Sequence, residues 1–257
     1  MARMSFNLEQ AEQMFSGVFA GLSPAYRLLR VAEYFSSEVV FTTSFGIEDQ
    51  MITYLIVTEK LPFRIVTLDT GRFFPETYAV WQYTEEKYSL RIRAYYPNEQ
   101  ALEALVADQG INGFYYSPQM RETCCAVRKV EPLSRALKNA RAWITGMRRD
   151  QSTERRNLNS IILDKKRALL KINPLYDLTR DQVTAFVSAH DIPVNTLHAE
   201  GFLSIGCAPC TRSVRHDEDE RAGRWWWERD RTKECGLHIN PDRDFNTAIL
   251  RNQTKQV

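Results

Sequence analysis

Cysteine is the residue type in this chain best suited to chemistry, and the sequence holds five of them. Four form two close pairs: Cys124 and Cys125 in E-T-C-C-A-V-R-K, and Cys207 and Cys210 in G-C-A-P-C. Two close pairs of thiols are the donor set of a four-coordinate metal or cluster site. The spacing of C-x-x-C lets both sulfurs turn toward one centre. The tandem pair is less usual. In a strand adjacent side chains point to opposite faces, whereas in a helix they lie about 100° apart and can converge on one large object. Cys124 and Cys125 are therefore expected at the start of a helix or at a kink in one, and Pro132 supports an interruption nearby. Adjacent thiolates suit an iron–sulfur cluster better than a single zinc ion, with zinc as the alternative at this point. One thiol is left over. Cys235, in K-E-C-G-L-H, lies in a polar stretch near a lysine and a histidine, which makes it a candidate nucleophile.

Basic residues gather around these cysteines: Arg128 and Lys129, then Arg148, Arg149, Arg155 and Arg156, then Arg212 and Arg215, then Arg221 and Arg224. Most arginines are solvated surface charges, and half or more of these are expected to be so. Lys129 stands out because it is tied in sequence to the tandem cysteines. Arg221 and Arg224 are three apart, the spacing of one helix face, ahead of Cys235. On that reading Trp225, Trp226 and Trp227 cover most of a helix circumference and pack against the core.

The whole chain sets limits on what these groups serve. Its 257 residues can bury a real core. Hydrophobic residues make up 44% and charged residues 26%, as in ordinary globular proteins. A net charge of +2 does not suggest a nucleic-acid binder. No apolar run reaches the length of a membrane span, and the first residues lack a signal-peptide core. A cytosolic, non-membrane protein is expected, in which thiols stay reduced and serve as ligands and nucleophile. Nothing here indicates oligomeric state, and a homo-oligomer remains open.

The elements that must position these residues alternate. Residues 7–36 have helical periodicity with a break at 21–24. Residues 38–43 form a strand that runs into S-F-G-I-E-D and a helix. Strand, Ser/Gly turn and helix direct backbone N–H groups at an anion, although an ordinary turn reads the same way. A second strand, 63–68, ends in Asp69-Thr70-Gly71, and Pro75 opens a helix through Tyr88. A strand at 91–96, a helix at 99–107 and a strand at 142–145 ending in Gly146 follow. Short strands are expected at 161–163 and 168–172, and a helix capped by Thr179 runs to Ala189. The pattern predicts an α/β fold with a parallel twisted sheet flanked by helices, and ligands at the strands' carboxyl ends. The whole chain, 1–257, is expected to form a single unit. About 1–190 is the core, and about 191–257 is an irregular extension over the sheet's ligand edge.

Taken together, the motifs resemble the assimilatory adenylyl-sulfate (APS) reductases. The matching pieces are T-S-F-G-I-E-D, L-D-T-G-R-F-F-P-E-T, C-C-A-V-R-K-V-E-P-L, I-T-G-M-R-R-D-Q-S, G-C-A-P-C-T-R and K-E-C-G-L-H, in order from about residue 42 to residue 238. The resemblance implies a fold of the adenine-nucleotide-hydrolase kind, related to the ATP pyrophosphatases. It implies a 4Fe-4S cluster on Cys124, Cys125, Cys207 and Cys210, Cys235 as nucleophile, and thioredoxin or glutaredoxin as electron donor. The pyrophosphatase loop usually reads S-G-G-x-D-S. Here it is S-F-G-I-E-D, so ATP cleavage and a tRNA-thiolating adenylase are not expected. Relatives that use the 3′-phosphorylated substrate (PAPS) commonly lack the cysteine pairs, which favours APS.

What the resemblance implies can be written as chemistry. The Cys235 thiolate attacks the sulfonyl sulfur of APS and AMP leaves. Lys129, Arg149, Arg221 and Arg224 are candidates to hold the phosphosulfate, and His238 can bond it or help keep Cys235 ionised. Ser44, Gly46, Asp69, Thr70 and Gly146 would hold the adenosine and its phosphate end. The alternatives are a PAPS reductase and a non-enzymatic iron–sulfur redox sensor.

Overall fold

The structure, a computed structural model, describes residues 7–228. Cys235 and His238, both in the proposed extension, lie outside the described residues. Two amphipathic helices open the chain, α1 (Leu8–Phe19) and α2 (Pro24–Phe35). Asn7 caps the first through its side chain. Ser23 caps the second, with Pro24 in its first turn, where a missing N–H costs nothing. Next come β1 (Val39–Thr43), α3 (Ile47–Thr58), β2 (Arg64–Leu68), α4 (Pro75–Tyr88), β3 (Arg93–Tyr95) and α5 (Glu99–Gln109). The chain continues through α6 (Pro118–Cys125), α7 (Glu131–Ala136), β4 (Ala142–Ile144), β5 (Ile161–Asp164), β6 (Leu169–Ile172) and α8 (Arg180–Ala189). Thr179 and Gln182 close a reciprocal capping box at the start of α8.

The six strands form one sheet in the order β3-β2-β1-β4-β6-β5. All neighbours are parallel except β5, which returns antiparallel on β6 as a hairpin edge. The mostly parallel sheet is buried on both faces, as such sheets must be. Val39, Phe41, Ala142, Ile144, Leu170 and Ile172 face a core shared with α1, α2, α3 and α8. Val40, Val66, Trp143 and Leu169 face the opposite core, closed by Leu133, Ala136 and Leu137 around α7. The alternation of Val39, Val40 and Phe41 between the two cores is the period-2 rule acting on one strand.

Chain order reverses between β1 and β4, because the sequence moves outward to β3 and then restarts on the other side of β1. Such a switch point leaves a crevice at the carboxyl ends of the strands. Among the described residues no helix is long and apolar enough to cross a membrane.

Candidate functional site

A cavity of about 160 Å³ occupies that crevice. Its floor is made by the ends of β1 and β4: Thr42, Thr43, Ser44, Thr145 and Gly146. The turn from β1 into α3 is tightly built. Phe45 adopts a left-handed backbone, φ 60°, which disfavours a residue with a Cβ by roughly 1–2 kcal/mol. Full burial and stacking on Trp81, with ring centroids 5.3 Å apart, offset that cost. Gly46 then stands at the N-cap of α3 with no side-chain cap, so the first N–H groups of a twelve-residue helix open toward the crevice.

Acids and bases in this cavity are paired in a way that spacing in sequence does not reveal. Asp49 Oδ2 accepts from the Ser44 amide (2.6 Å) and hydroxyl (2.9 Å), which pins the turn. Burial pushes the Asp49 carboxyl up to about 7, against those two hydrogen bonds, which pull it down. Glu48 is also buried, but Arg148 holds its carboxyl below the usual value. Arg148 Nε and a terminal nitrogen lie 2.9 and 2.8 Å from Glu48 Oε1. The same guanidinium reaches Glu220 Oε2 (2.8 Å) and Asp150 Oδ2 (3.2 Å). Glu220, pushed up by burial, brings the chain after α8 down onto the sheet's edge through Arg148 and Arg180. A Cβ on Gly146 would come within 2.5 Å of Asp49 Oδ1, so glycine is required there by close approach.

A second, smaller cavity adjoins the first. Cys124, Cys125, Cys207 and Cys210 all line it. The tandem pair ends α6 and is followed by a π-helical turn, Ala126–Val130, before α7 resumes. The expected kink is this widened turn, and Pro132 falls in the first turn of α7 beyond it. π-turns accommodate an extra residue per turn, which here lets Arg128 and Lys129 follow the cysteines into the same region. Arg128 donates to the Thr70 carbonyl at 2.6 Å, and the Thr70 hydroxyl lies 3.3 Å from Cys207 Sγ. Burial pushes the Cys124 thiol up and the Cys210 thiol up to about 12.

Five cations line this small cavity, namely Arg72, Arg121, Arg128, Lys129 and Arg224, and none of its lining residues is acidic. Among the described residues no three His, Cys, Asp or Glu side chains gather as a single metal ion would need. Four thiols ringed by cations suit a larger, anionic, thiolate-held group, since thiolates neutralised by fixed positive charge are the state such a group requires.

Lys129, Arg224 and Trp225 line both cavities and form the wall between them. Of the expected site residues, Ser44, Gly46, Gly146, Lys129, Arg221 and Arg224 line the larger cavity. Asp69 and Thr70 do not. Asp69 accepts from the Gly71 amide and the Tyr78 hydroxyl, shaping the loop after β2, and Thr70 belongs to the cysteine side. Arg149 turns away altogether: it donates to the Leu158 carbonyl at 2.8 Å and covers the Tyr176 ring. Its neighbour Arg148 takes the inward position.

Residues 221–228 are not the helix that the spacing of Arg221 and Arg224 suggested. They form turns, with a bridge between Thr211 and Arg224 and a left-handed Trp225, φ 44°. The two arginines reach the cavity because this strap folds back on Thr211. Trp225 is buried, as expected of a packing residue, whereas Trp226 is 39% exposed. Glu48, Asp49, Gln151, His198 and Glu220 line the cavity and were not anticipated, while Arg155 and Arg148, two of the basic residues noted in the sequence, line it and brace it. S-F-G-I-E-D and R-R-D carried a signal, since charged residues just past a strand's end must be paired once buried.

Comparison with known proteins gives the family and the fold. The family described as "Phosphoadenosine phosphosulfate reductase domain" matches residues 38–213. A protein of Sinorhizobium fredii (strain USDA 257) named "Adenosine 5'-phosphosulfate reductase" is 48% identical over 233 residues, 91% of this chain and 92% of that one. The solved phosphoadenylyl-sulfate reductase of Candida auris, a phosphate complex, is 27% identical and superposes with a TM-score of 0.68 over 83% of this chain and all of that one. Yeast FAD synthetase, 16% identical, shares the fold with a TM-score of 0.52 over 84% of this chain and 71% of that one. The α/β architecture is thus that of adenine-nucleotide enzymes.

Proposed function

Because this chain belongs to the phosphoadenosine phosphosulfate reductase domain family, we propose that it is an oxidoreductase of sulfate assimilation that reduces APS to sulfite and AMP. One observation carries this reading: the cations Lys129 and Arg224 stand in the wall between the crevice at the strand ends and a four-cysteine cavity. APS needs such a wall, because its two anionic groups, phosphate and sulfonate, sit at one end of an adenosine. The crevice floor of Ser44, Gly46 and Gly146 takes the nucleoside and its phosphate. Lys129, Arg221 and Arg224 take the phosphosulfate.

The reaction uses the Cys235 thiolate. Its sulfur forms a bond to the sulfonyl sulfur while the bond from that sulfur to the bridging oxygen breaks, and the electron pair leaves on AMP. The enzyme then carries Cys235–S–SO₃⁻. Negative charge grows on the phosphate oxygens in this step, where fixed cations contribute most. His238 is the candidate to assist at the sulfonate or the thiolate. A thiolate of thioredoxin or glutaredoxin next attacks the Cys235 sulfur and expels sulfite. The donor's second thiol resolves the mixed disulfide, so the two electrons come from the donor dithiol. Cys124, Cys125, Cys207 and Cys210 would hold a 4Fe-4S cluster. When bound, it would supply a fixed anionic charge against which Lys129 and its neighbouring cations are ordered.

Preference for APS over PAPS is supported by the acids of the crevice. Glu48 and Glu220 already occupy Arg148, and Asp49 lines the same cavity, so a further phosphate group would meet carboxylates at that end. Anaerobically prepared protein mixed with APS and no reductant should gain one SO₃ on the peptide that contains Cys235. Cys235→Ser should bind nucleotide and release no sulfite. An adduct on any other cysteine would overturn the assignment of the nucleophile, and equal turnover of PAPS would overturn the substrate.

A further inference from the structure

Arg121 is the cation of the cysteine cavity that neither the fold nor the proposed reaction requires. It lies in α6, four residues before Cys125 and therefore on the same face of the helix. The residue is 2% exposed and lines the cavity with the four cysteines. Its polar contacts are one-sided. Nε and one terminal nitrogen form a two-pronged pair with Glu228, at 2.9 and 3.0 Å, and that nitrogen also lies 3.9 Å from Glu122 Oε1. The other terminal nitrogen, Nη1, is buried and has no hydrogen-bond partner. A buried guanidinium N–H without an acceptor costs on the order of 1–3 kcal/mol, so its retention calls for a partner the protein atoms do not supply. The guanidinium is also held in place. It lies 4.9 Å from the centroid of Trp225, and Arg224 lies 4.9 Å from the same ring.

We infer that Arg121 is a positioning residue for the cysteine-held cluster, donating a charge-assisted hydrogen bond from Nη1 to a sulfur of that group and raising its reduction potential. This rests on the cluster proposed above. A cation hydrogen-bonded to cluster sulfur stabilises the reduced form, which carries one more negative charge. Glu228 sets the orientation of the donor. It also ties α6 to a segment that reaches Cys235 seven residues later in sequence.

The test is the reduction potential of the cluster in the loaded, full-length protein, together with its iron and sulfide content. Opposite signs are expected. Glu228→Gln removes the countercharge and should move the potential upward. Arg121→Met with Glu228→Gln removes the pair and should move it downward, with iron lost to a chelator roughly ten-fold faster. Arg121→Lys keeps the charge and should stay near wild type. If the double variant does not fold, the upward shift in Glu228→Gln and the near-normal potential in Arg121→Lys still decide the matter. Shifts of one sign in all three, or no shift in a loaded protein, would mean that Arg121 only packs α6 and would overturn this inference alone. Wild-type protein that binds no iron and sulfide would overturn the cluster and this inference together.

Discussion

The two cavities are neighbours built on opposite electrostatic plans. In the crevice at the sheet's edge the lining acids are matched: Glu48 and Glu220 converge on Arg148, and Asp49 is held by Ser44. In the cysteine cavity five cations face four thiols with no acid in the lining. Matched charges need no ligand, so the crevice can exist empty and admit a nucleotide reversibly. A cavity lined by cations and thiols without an acid favours an anionic occupant that stays. On the function proposed above, the difference separates a site for a substrate from a site for a resident group, and Lys129, Arg224 and Trp225 line both cavities.

The sharpest way to break that comparison is at the shared wall. Lys129→Ala should lower sulfite production about 100-fold or more, since a cation at a leaving phosphate contributes typically a few kcal/mol to the transition state. It should leave iron content and nucleotide affinity much less changed. Near-normal turnover would return Lys129 to the cysteine side alone.

Gly146→Ala addresses the crevice by itself. Its new methyl would meet Asp49 Oδ1, and displacing that carboxylate releases the turn at Ser44. Overpacking of this kind costs roughly 1–3 kcal/mol. Nucleotide affinity should fall about ten-fold while the cysteine cavity is untouched, as checked by calorimetric titration with AMP and by metal analysis.

Asp49 sharpens the comparison through pH. Its folded pKa of about 7 lies above the ordinary 3.8, so between those values the folded state binds a proton that the unfolded state has lost. That contribution to stability is complete below about pH 3.8 and is lost as pH rises toward about 7. Asp49→Asn should flatten this part of the stability curve in urea titrations across pH 4 to 8, and a slope equal to wild type would contradict the burial argument.

The smallest effect is expected at Arg149. Arg149→Ala should cost about 1 kcal/mol of stability through its lost Leu158 bond and Tyr176 contact, with no change in KM for APS. A raised KM would restore it to the substrate site.

Much of this molecule was legible in the chain. The helix over Pro75–Tyr88, opened by its own proline, and the helix after Thr179 follow from local signals, because helix-start residues and periodicity act within a few residues. The cysteine pairs were legible for the same reason: their types and spacing limit what they can hold. Gly46 and Gly146 could be placed at strand ends, where a parallel sheet must bind its ligands. What sequence could not decide was direction and long-range meeting. Arg148 and Arg149 are adjacent, and only the path of the backbone after β4 turns one inward and the other onto Tyr176. The spacing of Arg221 and Arg224 suggested a helix. A strap anchored by Thr211 and by Glu220 on Arg148 brings them to the site instead. Glu48 and Glu220, and Arg121 and Glu228, are far apart in the chain and meet only when the segment after α8 folds over the sheet. The sequence by itself determined which chemical groups were present and which short elements carry them, since those depend on residue type and local geometry. Which charges neutralise one another, and which are left to face a ligand, was decided by tertiary structure alone, because burial and distance set the strength of every pairing.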